Sequence, residues 1–328
     1  MYDIRLMFEK YLKLKRKERK LTQSELVLKL KQFRLDAFES LDNVTISRWE
    51  RGVTSPSRYK QLLITRFFND NLSEFLLAQH AESDFKELRK IFFDRYESVY
   101  SFSNRLKYGE HQPNNYQVRE LASLSQTEIQ ECLNEIEGMH QQFGIPDTEM
   151  FQLDFNNLIN DKRGEFRTYY NNGVKAGHYL AYYFSYEEFC QQMEQSNCTP
   201  DYSKTSNKEQ SNDLVMFSSS RFFEAPSLRL YNVYREVVTA ISNPNIQYFA
   251  MRVVTQSAYN YYSHRGFSVA ACEGEGGAGE FIIGGKKYRQ AIMMVDINQL
   301  LSSDYLVAIF KHYHPMTREV DKLHNSFI

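Results

Sequence analysis

The sequence predicts a multidomain chain: an all-α head, a helical linker, and then an α/β domain with a mixed sheet. Three observations carry this expectation. Helical periodicity dominates the first 145 residues, and strand-like runs of aromatic and β-branched residues begin only after Gly144-Ile145-Pro146. The charge is uneven: residues 1–79 hold 16 Lys/Arg and 10 Asp/Glu, while residues 80–328 hold 24 and 31. A head of net +6 therefore precedes a body of net −7, although the whole chain sums to −1. A basic head on an acidic body suits contact with a polyanion at one end only. The length of 328 residues exceeds one average domain.

At 42% hydrophobic and 25% charged residues, the composition excludes wholesale disorder and collagen-like structure. There is no apolar run long enough to span a membrane, and Met1-Tyr2-Asp3-Ile4-Arg5 lacks a signal core. Cys132, Cys190, Cys198 and Cys272 lie far apart without a C-x-x-C pair, which leaves no zinc spacing and no disulfide framework. A cytoplasmic protein without membrane contact or bound metal is expected.

In the head, residues 4–19 read as a basic helix. Thr22-Gln23-Ser24-Glu25 forms a capping box that opens a second helix, with Leu26 and Leu30 on one face. An irregular stretch, residues 33–42, precedes a short helix at residues 44–52 that Gly52 stops. Ser55-Pro56 starts another, with Tyr59, Leu62, Leu63 and Phe67 inward. Two amphipathic helices follow. One covers residues 84–107, and the other is a run of Ile129, Cys132, Ile136, Met139 and Phe143 behind a Ser125-x-x-Glu128 cap. They can pack within the chain or against a second subunit.

Beyond residue 146, strands are expected at 165–170, 178–185, 215–223, 246–254, 267–272 and 288–297, and helices at 185–193, 228–241 and 257–265. Residues 191–213, rich in Ser, Asn, Gln and Lys, read as a mobile loop.

Ile46 and Trp49 share the core face of the short helix, which turns Asn43, Thr45, Ser47, Arg48 and Arg51 outward, as a helix entering a DNA major groove requires. These residues belong to Leu21-Thr22-Gln23-Ser24-Glu25-Leu26 and Thr45-Ile46-Ser47-Arg48-Trp49-Glu50-Arg51-Gly52, followed by Pro56-Ser57. Together they resemble the Xre-type, phage-repressor-like helix-turn-helix. The resemblance implies that Asn43, Val44, Thr45 and Arg48 face base edges of double-stranded DNA, and that Gln23, Ser47, Arg51 and Ser55 lie against phosphates. The stretch from Leu30 to Thr45 is about eight residues longer than the family's usual turn, which blurs the start of the recognition helix.

In the second half, Glu224-Ala225-Pro226 stands between a strand and a helix, and Tyr262-Ser263-His264-Arg265-Gly266-Phe267 follows some forty residues later. This layout resembles the GNAT acyltransferase superfamily. Ser220-Arg221-Phe222 and the closing strand–glycine turn–strand resemble its acyl-homoserine-lactone synthase branch. The resemblance implies a GNAT-like mixed sheet and casts Tyr262 as the acid that protonates a leaving thiolate, if the domain is active. The family's coenzyme A pyrophosphate loop reads Gln/Arg-x-x-Gly-x-Gly/Ala, and aligned on Pro226 this chain offers Arg229-Leu230-Tyr231-Asn232-Val233-Tyr234. Asn232 and Tyr234 stand where small residues belong, so the loop is expected to be degenerate.

Gly274-Glu275-Gly276-Gly277-Ala278-Gly279 satisfies G-x-G-x-x-G, but Phe281-Ile282-Ile283 follows it rather than a helix, so a hairpin is expected. His312 and His314 lack a third ligand nearby. Tyr179, Tyr182, Tyr183 and Phe184 read as core or as a pocket wall. The expected division is 1–79 DNA-binding head, 80–147 helical linker and dimerisation element, 148–310 GNAT-like domain, and 311–328 tail. The expected protein is a bacterial, homodimeric, sequence-specific transcriptional regulator. Its GNAT-like domain would serve as a sensor or scaffold for a small-molecule or acyl ligand and would need no cofactor. The alternative is an active N-acyltransferase, dependent on acyl-CoA or an acyl carrier, that carries a DNA-binding head.

Overall fold

The structure is a computed structural model that describes residues 8–80, 116–120, 124–142, 154–171, 173–195, 198–274 and 281–325. Its helices are α1 (Phe8–Glu18), α2 (Gln23–Phe33), α3 (Leu35–Phe38), α4 (Asn43–Glu50), α5 (Arg58–Phe67), α6 (Leu72–Ala78), α7 (Gln126–Gln142), α8 (Phe155–Asn160), α9 (Tyr186–Gln195), α10 (Pro226–Ser242), α11 (Gln256–Ser263), α12 (Ile297–Leu301) and α13 (Asp304–Asn325). The strands are β1 (Tyr116–Glu120), β2 (Gly164–Asn171), β3 (Val174–Ser185), β4 (Leu214–Phe223), β5 (Ile246–Val253), β6 (Ser268–Glu273), β7 (Phe281–Ile283), β8 (Lys286–Tyr288) and β9 (Gln290–Asp296). The chain divides into two compact units, Met1–Phe85 with Leu301–Ile328, and Lys86–Leu300.

In the first unit the helices begin where the capping residues stand. Thr22 and Glu25 complete their reciprocal box. The Asp42 carboxylate accepts the Thr45 N–H at 2.7 Å, and Asn71 caps α6. Gly52 follows α4 at φ +70°, the left-handed stop that a Cβ would strain. Tyr11, Leu12, Leu26, Leu30, Ile46, Trp49, Leu63 and Ile64 form one buried core. Each such side chain stabilises by about 1.5–3 kcal/mol relative to exposure. The long segment after Leu30 prolongs α2 and then forms α3, and its Phe38 and Leu41 plug the same core.

A buried fork joins α1 to α4. Arg16 Nε and Nη2 donate to the two Glu50 carboxylate oxygens at 2.5 and 2.9 Å, and Gln23 Nε2 adds a third bond at 2.8 Å. Burial pushes the Glu50 carboxyl up, and the hydrogen bonds from Arg16 and Gln23 outweigh it, so the group lies below the usual carboxylate range. The C-terminal helix α13 belongs to this unit. Arg58 binds Asp304 Oδ1 at 2.7 Å and the Ser302 carbonyl at 3.0 Å, and Lys311 Nζ reaches the Gln79 carbonyl at 2.9 Å. The sheet-bearing unit thus ends at Leu300, short of the boundary at 310 that the sequence suggested.

In the second unit a seven-stranded sheet runs β1-β2-β3-β4-β5-β9-β6 among the described residues. All neighbours are antiparallel except β4 and β5, which are parallel and joined by the crossover helix α10. Helices α7 and α9 cover one face, burying Ile129, Cys132, Leu133, Ile136, Phe189 and Met193 against Phe166, Leu180, Phe184 and Phe217.

Three sequence expectations change here. Strand β1 and helix α7 lie inside the stretch read as linker, and both are part of the sheet unit. The apolar face of α7 is consumed by the sheet, with Lys175 Nζ binding Glu135 at 2.6 Å, so this face does not wait for a second subunit. The stretch read as a mobile loop is anchored at residues 198–213, because Cys198 and Tyr202 are buried and Tyr202 packs on Tyr182 at 4.6 Å. The helix read at residues 84–107 and the glycines at 276–279 lie outside the described residues.

Gly177 sits where β3 meets the end of β4. A Cβ there would stand 2.5 Å from the Phe222 carbonyl oxygen and 3.2 Å from Phe223 Cα. Gly177→Ala is expected to cost about 1–3 kcal/mol as overpacking. Thermal unfolding checks this, and an unchanged Tm would contradict so close an approach. Among the described residues, no helix is long and apolar enough to cross a membrane, and no three His, Cys, Asp or Glu side chains cluster as metal ligands.

Candidate functional site

Among the described residues the sheet opens between β4 and β5. Strands β4 and β5 pair from Leu214↔Ile246 to Ser218↔Met251, and no β4–β5 pair follows among the described residues. Strand β4 runs on to Phe223, still paired with β3, after a register shift that makes Ser219 a bulge. The carboxyl ends of the two parallel strands therefore diverge, with α10 leaving one and α11 the other. Ligands of open α/β sheets collect beyond such carboxyl ends. The β5-facing backbone of Ser219–Phe223 can pair with a ligand's amide groups as an added strand would.

Beside this notch Arg229 Nη2 donates to the Tyr262 hydroxyl at 2.8 Å, and the Arg221 guanidinium lies 5.2 Å from the Tyr262 ring centre. Tyr262 comes from α11, which Thr255 caps and Gly266 (φ +82°) terminates. Its ring packs edge-on against Phe267 at 5.2 Å and is 6% exposed. A guanidinium donating to a phenol oxygen stabilises the phenolate and makes the hydroxyl a better proton donor.

Under α10 runs a buried polar chain. Arg229, Asn232, Glu236 and Thr239 fall at helical spacing on the face turned to β2, β3 and β4. Asn232 Oδ1 accepts from Tyr169 Oη at 2.7 Å and Arg167 Nη1 at 3.2 Å, while its Nδ2 donates to Glu236 at 3.0 Å. Arg167 Nη2 donates to Glu165 at 2.5 Å, and Tyr183 Oη donates to the same carboxylate. Burial would raise the Glu165 carboxyl, but the charges of Arg167 and Lys208 and the bonds from Tyr183 and Arg167 hold it down at about 2. Burial pushes Tyr169 up to about 12 and raises the Tyr179 phenol well above its ordinary value. On the opposite sheet face, His178 Nε2 lies 3.0 Å from Ser220 Oγ, and burial followed by the Lys175 charge keeps this imidazole neutral.

Three sequence candidates therefore stand elsewhere than expected. Asn232 lies in the second turn of α10, fully buried in the polar chain. Tyr234 is 3% exposed in the third turn. Neither stands at the helix start, so neither can obstruct a phosphate there. Arg229 binds Tyr262. The helix start has its own answer to a pyrophosphate. Pro226 has no N–H, Arg229 N–H bonds to the Ala225 carbonyl, and Glu224 N–H bonds to the Ala176 carbonyl. The Glu224 carboxylate is itself buried at this turn. That carboxylate opposes the pyrophosphate of coenzyme A, whose binding at a helix start is weakened by a neighbouring anion.

The first unit presents a different surface. On α4, Asn43, Val44 and Arg48 are exposed, and Arg51 and Ser55 continue the same side. Thr45 and Ser47 are half-buried. Asn43 Nδ2 donates to Ser24 Oγ at 2.9 Å, tying α4 to α2. Gln23 differs from expectation, because its amide is engaged by Glu50 rather than turned out to a phosphate. Val44, Arg48 and Arg51 follow one another at spacings of four and three, a single outward stripe. His312 and His314 lie on α13, where His314 stacks on Phe310 at 4.6 Å.

Comparison with known proteins finds no matching family model and no matching curated protein. Among solved structures, the chain is similar to FeeM, an N-acyl amino acid synthase from uncultured soil microbes, at 11% identity and TM-score 0.37, covering 60% of this chain and 98% of that one. It is also similar to a spermidine N-acetyltransferase from Vibrio cholerae, at 15% identity and TM-score 0.32, covering 58% and 99%. A third is Arabidopsis thaliana NAA60, at 13% identity and TM-score 0.31, covering 56% and 99%. Likeness at this level assigns neither substrate nor activity to the chain.

Several residues of the polar chain under α10 were missed from sequence. The signal was available in Glu165-x-Arg167-x-Tyr169, since charges two apart in a strand share one face with the aromatic that follows. Arg221 was noted for resemblance alone.

Proposed function

We propose that the α/β unit is a GNAT-like N-acyltransferase and that the helical head reads double-stranded DNA. The observation that carries the first half is the parting of β4 and β5 beside a tyrosine held by an arginine. An amine attacks the carbonyl of an acyl thioester laid in the notch; the N–C bond forms and the C–S bond breaks. Tyr262 Oη gives its proton to the leaving sulfur, Arg229 stabilises the phenolate left behind, and the proton released by the amine restores Tyr262 through solvent. The poor fit to a pyrophosphate favours a thioester presented on a carrier's pantetheine arm over free acyl-CoA. Thiol release from acyl-pantetheine thioesters tests this, with Tyr262→Phe as the control.

A second reading is a regulator whose α/β unit senses an acyl ligand without transferring it. The Glu224–Pro226 turn favours it. The two readings part on one result, since the sensor binds the thioester and releases no thiol.

For the head, exposed Asn43, Val44 and Arg48 suit base edges, and Arg51 and Ser55 suit phosphates. One such head reads few base pairs, so a homodimer on half-sites about one helical turn apart is part of this proposal. Arg48→Ala is expected to remove about 1–3 kcal/mol of discrimination at one base pair. Arg51→Ala should instead weaken specific and random DNA alike. Competition binding with single-base operator variants checks both, and equal losses on all sequences for Arg48→Ala would place that side chain on a phosphate.

A further inference from the structure

Arg221 is a buried cation with poor partners. Its side chain is 14% exposed, and Nη2 rests 2.6 Å from the Met251 thioether, a weak acceptor. Nη1 has no hydrogen-bond acceptor and lies 3.9 Å from Glu236, beyond hydrogen-bond reach. Opposite it across the β3–β4 ladder stands Tyr179, fully buried, whose hydroxyl also has no partner. Ser218 Oγ, at the point where β4 and β5 separate, is a third such atom. Buried polar atoms left open together are costly, and a guanidinium most of all. Burial and then the like charge of Arg229 pull Arg221 below the usual arginine range.

We infer that Arg221 and Tyr179 form a carboxylate subsite, and that the acceptor is a primary amine bearing a carboxylate, in the class of amino acids. A planar fork with one open Nη and a nearby phenol matches a carboxylate's two oxygens. The subsite adjoins Tyr262, whereas a donor's phosphate lies at the far end of its pantetheine arm from the reacting thioester. The anion therefore belongs to the acceptor rather than to the carrier arm. This rests on the acyl-transfer reading for the acceptor's role, though not for the binding itself.

The test is calorimetric titration of the full chain with L-leucine and L-phenylalanine, against isoamylamine and phenethylamine, which lack only the carboxylate. Succinyl- and octanoyl-pantetheine and inorganic sulfate form the comparison arms. The amino acids should bind about tenfold or more tightly than the matched amines. Arg221→Lys, which keeps the charge and loses the fork, should erase that difference. Tyr179→Phe should weaken amino-acid binding while leaving Tm equal or higher, because it deletes a hydroxyl without a partner; this keeps the test sound if Arg221→Lys folds poorly. Equal binding of amines and amino acids, or unchanged affinities in both variants, overturns the subsite. Arg221-dependent binding of succinyl-pantetheine alone, or of sulfate alone, overturns its assignment to the acceptor. Arg221-dependent amino-acid binding with no transfer from any donor would uphold the subsite and sink the acyl-transfer reading. Equal transfer to amines without a carboxylate would do the reverse.

Discussion

Replacing Tyr262 with phenylalanine is expected to lower the turnover of acyl transfer by about 100- to 10,000-fold, the usual loss when a positioned general acid is removed. The affinity for the thioester should stay near that of the wild type, because the ring keeps its packing on Phe267 and only the hydroxyl goes. The variant leaves Arg229 Nη2 without the acceptor it has at 2.8 Å, which costs about 1–3 kcal/mol of stability. Tm must therefore be measured beside turnover. A folded Tyr262→Phe protein with full turnover would show that the thiolate takes its proton elsewhere, and the role assigned to the Arg229–Tyr262 pair would fall with it.

The largest effect on stability is expected at Glu165. Glu165→Ala removes the partner of Arg167, which is 3% exposed, and leaves a buried cation uncompensated, at about 3–5 kcal/mol. Glu165→Gln keeps the shape and removes the charge. The pH dependence follows from the direction of the shift. The folded carboxyl titrates at about 2 and an unfolded glutamate at about 4.3, so the stabilisation is complete above the higher value and is lost as pH falls toward the lower one. Denaturant melts of the wild type between pH 5 and about 2.5 should therefore steepen with acid, and Glu165→Gln should flatten that slope. Parallel slopes would place the acid sensitivity in other carboxylates, Glu50 of the head among them.

Much of the fold was legible because short-range chemistry governs it. The Thr22–Glu25 box and the stops at Gly52 and Gly266 are each local. They appear in the structure where the sequence placed them. What escaped depended on contacts distant in sequence. Strand β1 is five residues, Tyr-Gln-Val-Arg-Glu, with no apolar run, and it exists because β2 pairs with it fifty residues later. Helix α13 joins the N-terminal unit through Arg58–Asp304, a pairing across 246 positions. The polar loop after α9 is pinned by single anchors, Cys198 and Tyr202, that composition averages away.

At the candidate site, Tyr262 and Arg229 were singled out, but not as partners. The stripe of Arg229, Asn232, Glu236 and Thr239 has the period of a helix face. Matched to a family loop, Arg229, Asn232 and Tyr234 were assigned to a helix start that in fact lies at Pro226. Arg221 and Tyr179 could not be joined from sequence, because their meeting depends on the β3–β4 register.

The most direct measurement is a single-turnover mass-spectrometric assay of the full chain with octanoyl-pantetheine thioester and a mixture of amino acids. Expected is an N-acyl amino acid and free thiol in equal amounts, formed by the wild type and suppressed in Tyr262→Phe. Thiol release no faster than the uncatalysed rate, with wild type and Tyr262→Phe indistinguishable, would contradict an acyl-transfer site between β4 and β5.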